Sequence, residues 1–150
     1  MLRGWSGNQQ KRTTPSWNLL LFSIGGRKLA VKTDELAGVW KWTGGIPVTS
    51  RTPFISSVVR LDQAVFPVFD LAAMLHVSVQ GKSLMCLTAK HPRGTLAICV
   101  DENMPVLHTL NVAEVQPSRG GEIPSMGSFS SGLDEIPILA ISKLGMSDAS

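Results

Sequence analysis

Residues 53–71, which read PFISSVVRLDQAVFPVFDL, contain two apolar runs on either side of the polar pair Asp62 and Gln63. The first run, Ile55–Leu61, alternates between two faces, one of which carries Ile55, Val59 and Leu61. The second run, residues 64–71, is apolar on both faces, and a strand of that kind must be covered on both sides. The segment therefore predicts a hairpin within a closed barrel or within two packed sheets.

The composition is that of a globular protein with one domain, or with two small lobes that share a core. Of the 150 residues, 43% are apolar and 17% are charged, which is not the composition of a disordered chain. The apolar runs are only a few residues long, whereas a bilayer-spanning helix needs about 20 residues. We find no secretory signal and expect a cytoplasmic protein. Residues 1–16 are Gly-, Gln- and Thr-rich and predict a disordered tail, which carries part of the net charge of +3 as a solvated end.

Turn signals elsewhere predict further short strands. Gly25 and Gly26 join residues 17–24 to Arg27–Lys32 as a hairpin, because both turn positions can take positive φ. A second hairpin joins residues 83–89 to residues 95–101. Short strands at regular spacing, without long amphipathic helices, predict an all-β barrel or sandwich. Further strands are expected at 38–42, 106–110 and 136–140, loops at 43–53 and 112–132, and helical turns at 33–34, 71–75 and 141–146.

The two cysteines fall in the second hairpin, whose register would place Cys86 opposite Cys99. A cross-strand disulfide is one interpretation. Disulfides are uncommon in reducing compartments, however, and both cysteines have apolar neighbours. We therefore favour two buried thiols that pack as small hydrophobic groups.

No arrangement of residues in the sequence predicts catalysis or metal binding. His76, His91 and His108 have no second His, Cys or carboxylate at ligand spacing, so each is expected to be structural or solvated. The sequence contains no nucleophile elbow and no phosphate-binding loop of the P-loop type. We expect no enzymatic activity, no cofactor and no metal.

Trp40 and Trp42 lie on the same face of a predicted strand and allow two interpretations. The simpler one is that this face is buried, and the other is that the rings form an exposed anchor for a partner protein. With Lys41 between them they could also stack on bases, as in small barrels that bind single strands. A nucleic-acid-binding barrel is therefore kept as the alternative function.

From about residue 19 to residue 144, the order and spacing of several motifs resemble the CheW-like domain, the adaptor module of bacterial chemotaxis arrays. The longest motif is VVRLDQAVFPVFDL at residues 58–71. The resemblance implies two five-stranded SH3-like barrels that share a hydrophobic core, with short helical turns, over residues 17–146. Residues 147–150 are expected to form a C-terminal tail. The other motifs are FSIGG at 22–26, LAV at 29–31, IP at 46–47, TPFI at 52–55, LAICVD at 96–101, SGL at 131–133 and ILAISKL at 138–144.

The resemblance also implies a non-enzymatic adaptor in chemotaxis or in a related chemosensory pathway such as twitching motility. Such an adaptor couples the cytoplasmic tips of methyl-accepting chemoreceptors to a CheA-type histidine kinase. It meets the membrane only indirectly, through the receptor, and it binds neither nucleic acid nor a cofactor.

Three stretches depart from the family pattern. The usual N-L-R-G of the central turn is RLDQ at residues 60–63, which replaces a basic residue with Asp62 and a turn glycine with Gln63. Gly38 stands where many members carry Glu, and Ser57 replaces a glycine. A receptor helix complementary to the usual surface would meet a reversed charge at Asp62.

The predicted binding residues follow from the resemblance, and core packing is the alternative role for the apolar ones. On the receptor side they are Leu36, Val39, Val58, Asp62 and Gln63. On the kinase side they are Ile55 and Ser57.

Overall fold

The computed structural model describes residues 15–103, 105–118 and 121–145 of the chain. Most of the predicted N-terminal tail and all of the predicted C-terminal tail lie outside these ranges. The division into tail, domain and tail therefore stays a prediction. The first strand begins at Ser16.

Short strands dominate the described part of the chain, which holds eleven of them together with one α-helix and three 3-10 turns. The strands are β1 (Ser16–Ile24), β2 (Arg27–Lys32), β3 (Leu36–Lys41), β4 (Ile46–Pro47), β5 (Ile55–Leu61), β6 (Ala64–Phe69), β7 (Met85–Ala89), β8 (Leu96–Val100), β9 (Val106–Asn111), β10 (Ser125–Ser131) and β11 (Asp134–Leu139). The helix α1 is Leu71–Leu75, and the 3-10 turns are Thr33–Glu35, Val112–Glu114 and Ile141–Lys143.

The strands form two sheets, each curved into a small barrel. Barrel A has the order β10-β11-β2-β1-β9, and barrel B has the order β3-β7-β8-β6-β5-β4. Nearly all pairs are antiparallel, and each barrel contains one parallel contact, at Ile138 and Ala30 in barrel A and at Val68 and Ala97 in barrel B. The predicted all-β fold with two SH3-like barrels is therefore confirmed. Barrel B has a sixth, two-residue strand, β4, in a stretch where the sequence predicts only loop.

Apolar residues on the central strands divide between a shared core and the two barrel interiors. On β1, Leu20 and Phe22 pack into the shared core between the barrels, whereas Leu19 packs inside barrel A. On β8, Leu96 and Ile98 lie in the shared core, whereas Ala97 packs inside barrel B. Adjacent side chains of a strand point to opposite faces. One face of each of these strands therefore packs inside its own barrel, and the other face packs in the core that joins the two barrels.

The sequence predicts that strand β6 is covered on both faces, and only its C-terminal end is covered in this way. Phe69 lies in the shared core and Val68 lies inside barrel B, so these two residues are covered on both sides. Val65 is 57% exposed and Ala64 is also exposed, because β6 meets β8 only at Val68 and its first half projects beyond it. The prediction that the whole run is covered on both faces was wrong for this half.

The chain contains an internal structural repeat with a shift of 70 residues. Adding 70 to the residue numbers of β3, β5 and β6 gives the bounds of β9, β10 and β11. The same shift converts the pair Ile46–Val58 into the isolated bridge Gln116–Ser128. Each half also sends a strand into the other barrel, since β3 follows β2 but pairs with β7, and β9 follows β8 but pairs with β1.

Strand β10 overturns the expectation of a continuous loop over residues 112–132. Its sequence, SMGSFSS, is rich in Ser and Gly, and Phe129 is its one large buried side chain. Small side chains give no strand signal of their own, so the composition resembles a loop. The repeat identifies the segment as the counterpart of β5.

The hairpin turn of barrel A is fastened to barrel B by a buried carboxylate. Asp101 accepts backbone N–H bonds from Gly25 and Gly26 at 2.8 and 2.9 Å and from Gln80 at 2.8 Å. Burial opposes ionisation of this group, but the three N–H donors outweigh it and hold the pKa of Asp101 below its usual value. The turn also has no room for a side chain, since a Cβ on Gly25 would lie 2.6 Å from Cβ of Val77.

We predict that Gly25→Ala destabilises the protein more than Gly132→Ala does. Both glycines have φ near +60°, but a Cβ on Gly132 meets no atom within 4 Å. Both variants incur the cost of a left-handed alanine, about 1 kcal/mol, and only Gly25→Ala adds a steric overlap of about 1–3 kcal/mol. Urea unfolding measures the difference, and equal midpoints for the two variants would show that the contact with Val77 is not tight.

We also predict that Asp101→Asn lowers the free energy of unfolding by about 3 kcal/mol at neutral pH, because charge-assisted bonds from three backbone N–H groups to a buried carboxylate are lost. The folded-state pKa of Asp101 lies below its unfolded value, so its contribution is complete above the unfolded pKa near 4 and is lost as the pH falls through the folded pKa. The stability gap between wild type and variant should therefore narrow from pH 5 to pH 2. A gap that stays constant in denaturant titrations over this range contradicts the assignment.

Candidate protein-binding surface

All seven predicted binding residues lie in barrel B. Leu36 and Val39 are on β3, at one edge of the sheet, while Ile55, Ser57 and Val58 are on β5, next to the opposite edge. The β3–β4 connection brings these edges closer, since the Thr43 hydroxyl donates to the Arg60 carbonyl over 3.2 Å. The other two predicted residues, Asp62 and Gln63, form the β5–β6 turn.

The two β3 residues lie at the rim of the shared core. Leu36 is partly buried and packs against that core. Val39 pairs with the buried Leu87 but is itself 43% exposed. The preceding Glu35 accepts the backbone N–H of Lys90 at its carbonyl, and burial raises the pKa of its carboxyl group, with Lys32 acting in the opposite direction.

A β-bulge separates the residues of β5 into three environments. The register shifts between Ile55 and Ser57, so Ile55 packs against the shared core while Val59 lies inside barrel B. The expectation that Ile55, Val59 and Leu61 share one face was therefore wrong for Ile55. Ser57 is also partly buried and lines a cavity of about 150 Å³ at one end of barrel B.

Val58 belongs to an outward apolar row across three strands. It pairs with Ile46 on β4 and with Pro67 on β6, and Ile46 is 54% exposed. Contiguous exposed apolar side chains mark protein–protein interfaces more often than isolated ones do. We call this surface the β4–β6 face, and its members are Ile46, Val58, Arg60, Val65 and Pro67.

Two residues of this face, Ile46 and Val65, are surface residues that the sequence does not predict. Their apolar character suggested core or loop, and only the projection of β6 beyond β8 and the presence of β4 place them outside. Other exposed large apolar residues of the described chain are Val39, Trp40, Val48 and Phe54 in barrel B and Val106, Leu107 and Leu133 in barrel A.

The Asp62–Gln63 turn is fully solvated beside the β4–β6 face. Asp62 has φ +57°, a left-handed conformation that Asp tolerates better than most residues. Its counterpart in the repeat is Gly132, with φ +61°. Among the described residues no cation lies within salt-bridge distance of Asp62, so its charge faces solvent.

Gly38 and Trp40 are linked by hydrogen bonds through the Thr88 hydroxyl. The Trp40 indole N–H donates to the Thr88 hydroxyl at 3.1 Å, and that hydroxyl donates to the Gly38 carbonyl at 3.2 Å. A Cβ on Gly38 would lie 2.9 Å from Nε1 of Trp40, so a larger residue would displace the ring. The departure from the family pattern at Gly38 therefore makes room for a tryptophan.

The two tryptophans have different environments. Trp42 is partly buried against the interior of barrel B, which agrees with the buried-face interpretation. Trp40 is 38% exposed and contributes to the surface. The two rings therefore do not form the exposed stacking platform that a single-strand-binding barrel uses.

Two of the three histidines hold structural positions, whereas His76 is exposed. His91 is buried, with Nδ1 accepting the Arg93 backbone N–H at 3.1 Å, so Nε2 carries the proton and donates to the Leu144 carbonyl at 2.8 Å. His108 stacks on Phe129 with ring centroids 5.3 Å apart. The described residues contain no group of three or more His, Cys, Asp or Glu placed to share a metal ion. In the same part of the chain, no helix is long and apolar enough to cross a membrane.

We predict that Gly38→Ala displaces the Trp40 ring, shifts its indole N–H resonance and destabilises the protein by about 1 kcal/mol through overpacking. The matched control is Thr88→Val, which removes the acceptor without adding volume and should shift the same resonance. Two-dimensional NMR resolves the indole N–H signals. An unchanged Trp40 signal in Gly38→Ala means that the ring does not lie against Gly38.

Comparison with known proteins agrees with this architecture. A family model described as the CheW-like domain matches residues 18–144. The scaffolding protein TtCheW from Thermoanaerobacter tengcongensis, known from a crystal structure, is 15% identical, with a TM-score of 0.75 over 91% of this chain and 97% of that one. A search of curated proteins returned no match.

The structural likeness at this low identity supports the twin-barrel fold, and the family model covers most of the sequence. The family is one of chemotaxis scaffolds and adaptors. The chain therefore belongs to the CheW-like domain family.

Proposed function

We propose that this chain is an adaptor that couples the cytoplasmic tips of chemoreceptors to a CheA-type histidine kinase. The observation that carries the proposal is the β4–β6 face, an outward surface of four apolar residues and Arg60 that continues into the turn at Asp62 and Gln63. An apolar centre with a polar rim is the usual anatomy of a protein–protein interface. Family membership over residues 18–144 supplies the biological setting.

The receptor side of the proposal rests on exposure and charge. Val39, Asp62 and Gln63 are accessible, and Val58 lies between exposed Ile46 and half-buried Pro67. The exposed carboxylate of Asp62 favours a partner that presents a basic side chain at this point. A receptor helix with an apolar stripe flanked by Lys or Arg fits both features.

On the proposed kinase-binding side, Ile55 and Ser57 have a supporting role. Ile55 is anchored on the shared core, and Ser57 pairs with Pro47 of the edge strand β4. Both residues therefore set the position of the β4–β5 pair, whose outer side chains are accessible to a partner. Substitutions here would act through the shape of that edge.

We predict that Asp62→Asn weakens binding of a chemoreceptor cytoplasmic fragment about three- to tenfold, in keeping with loss of a rim charge contact. Asparagine tolerates the left-handed backbone, so the variant changes charge and preserves the turn. The control is Glu114→Gln, which removes another exposed carboxylate on barrel A. Isothermal titration with the receptor fragment and with the kinase regulatory domain, at two salt concentrations, measures the effect.

The expected result is a receptor affinity that depends less on salt in Asp62→Asn than in wild type, while Glu114→Gln behaves as wild type. Equal losses in the two variants would indicate a long-range effect of net charge and would remove Asp62 from the interface. If wild type binds neither purified partner at micromolar concentrations, the coupling role is wrong, while the family assignment stands on its own evidence.

A further inference from the structure

Cys86 on β7 lies directly opposite Cys99 on the neighbouring antiparallel strand β8. This register is the one expected from the sequence. Side chains opposite each other across such a pair lie on the same side of the sheet, so both thiols point into barrel B, where Cys86 packs with Val59 and Ala97. Both cysteines are free thiols; Cys86 is buried and Cys99 is only partly buried.

The β-ladder places the two cysteines at a backbone separation that a disulfide can span. Opposite residues of an antiparallel pair have Cα atoms about 4.5–5.5 Å apart, and disulfides span Cα separations of about 4.4–6.8 Å. The pairing of β7 with β8 therefore meets the Cα condition for a bond between the two sulfur atoms.

Access and reactivity differ between the two thiols. Cys99 is partly buried and lines the open cavity of about 150 Å³ together with Trp42, Ser57 and Leu71, so a small solute that enters the cavity meets this residue. Burial raises the pKa of the Cys86 thiol to about 11. Burial also raises the pKa of Cys99 to about 12, and the neighbouring Cys86, Asp70 and Asp101 act in the same direction. Few thiolates exist at neutral pH, so oxidation by a peroxide is slow there and becomes faster as the pH rises.

We propose that Cys86 and Cys99 form an oxidation site at which a small hydroperoxide produces an intramolecular disulfide across β7 and β8. The Cys99 thiolate attacks the peroxide O–O bond, forming a sulfenic acid and releasing an alcohol, or water from hydrogen peroxide. The Cys86 sulfur then attacks the sulfenic sulfur, and water leaves as the S–S bond forms. Two thiols are oxidised, one peroxide is reduced, and the two thiol protons leave in the products. This inference does not depend on the proposed coupling role.

The disulfide closes the hairpin between residues 86 and 99 and restricts the unfolded chain. The oxidised protein should therefore melt several degrees higher than the reduced protein. Oxidation also replaces the Cys99 thiol in the wall of the cavity that Ser57 lines, which links the site to strand β5.

The test treats the folded full chain with hydrogen peroxide, blocks residual thiols under denaturing conditions, and maps tryptic peptides by mass spectrometry. We expect residues 83–90 and 94–119 to appear as one cross-linked peptide, two mass units lighter than the sum of its parts. Between pH 7 and pH 9 the rate should rise about tenfold per unit, as expected for a thiolate well below its pKa.

Cys86→Ser and Cys99→Ser are the matched controls, since each retains one thiol and neither should gain thermal stability after peroxide. The peptide map of wild type decides the question even if a variant fails to fold. Recovery of two unmodified thiols, or of sulfinic acid at Cys99 with a free Cys86, would overturn the proposal. A cross-link that forms only between chains would also overturn it.

Discussion

Two barrels packed on one apolar core require their central strands to be apolar on both faces. Leu19 and Leu20 on β1, and Ala97 and Ile98 on β8, show how adjacent residues meet this requirement by facing different apolar clusters. Among the described residues, few polar or charged side chains are buried, and these are Thr88, His91, Asp101 and Ser128. Asp101 is tolerated because three backbone N–H groups satisfy its carboxylate.

Local signals in the sequence predict much of this fold. The glycine pair at Gly25 and Gly26 identifies the first hairpin, and both residues do take positive φ. Asp70 caps α1 by accepting the Ala73 N–H, as its position before an apolar run suggests. Strand β10 was missed because its neighbours, and not its own small side chains, hold it in the sheet.

The candidate surface was less predictable than the fold. The family resemblance suggests positions for the surface, and these stay a prediction, whereas burial depends on which strand lies beyond each residue. The bulge before Ser57 turns Ile55 toward the shared core, and no apolar pattern reveals a bulge. Val65 has the character of a core residue and is exposed because β8 does not extend alongside it. The glycine at position 38, by contrast, has a physical explanation, because a Cβ on Gly38 would lie too close to the ring of Trp40.

The exchange of β3 and β9 between the barrels has a consequence for synthesis on the ribosome. All strands of barrel B lie between residues 36 and 100, so this barrel can close while the remainder of the chain is still being made. The first hairpin, β1 and β2, must wait for β9 and β11 before its barrel is complete. Until then the face of the hairpin that carries Leu20 and Phe22 can pack on the finished barrel, but the face that carries Leu19 and Ala30 stays uncovered. The nascent chain therefore passes through an intermediate with an exposed apolar face.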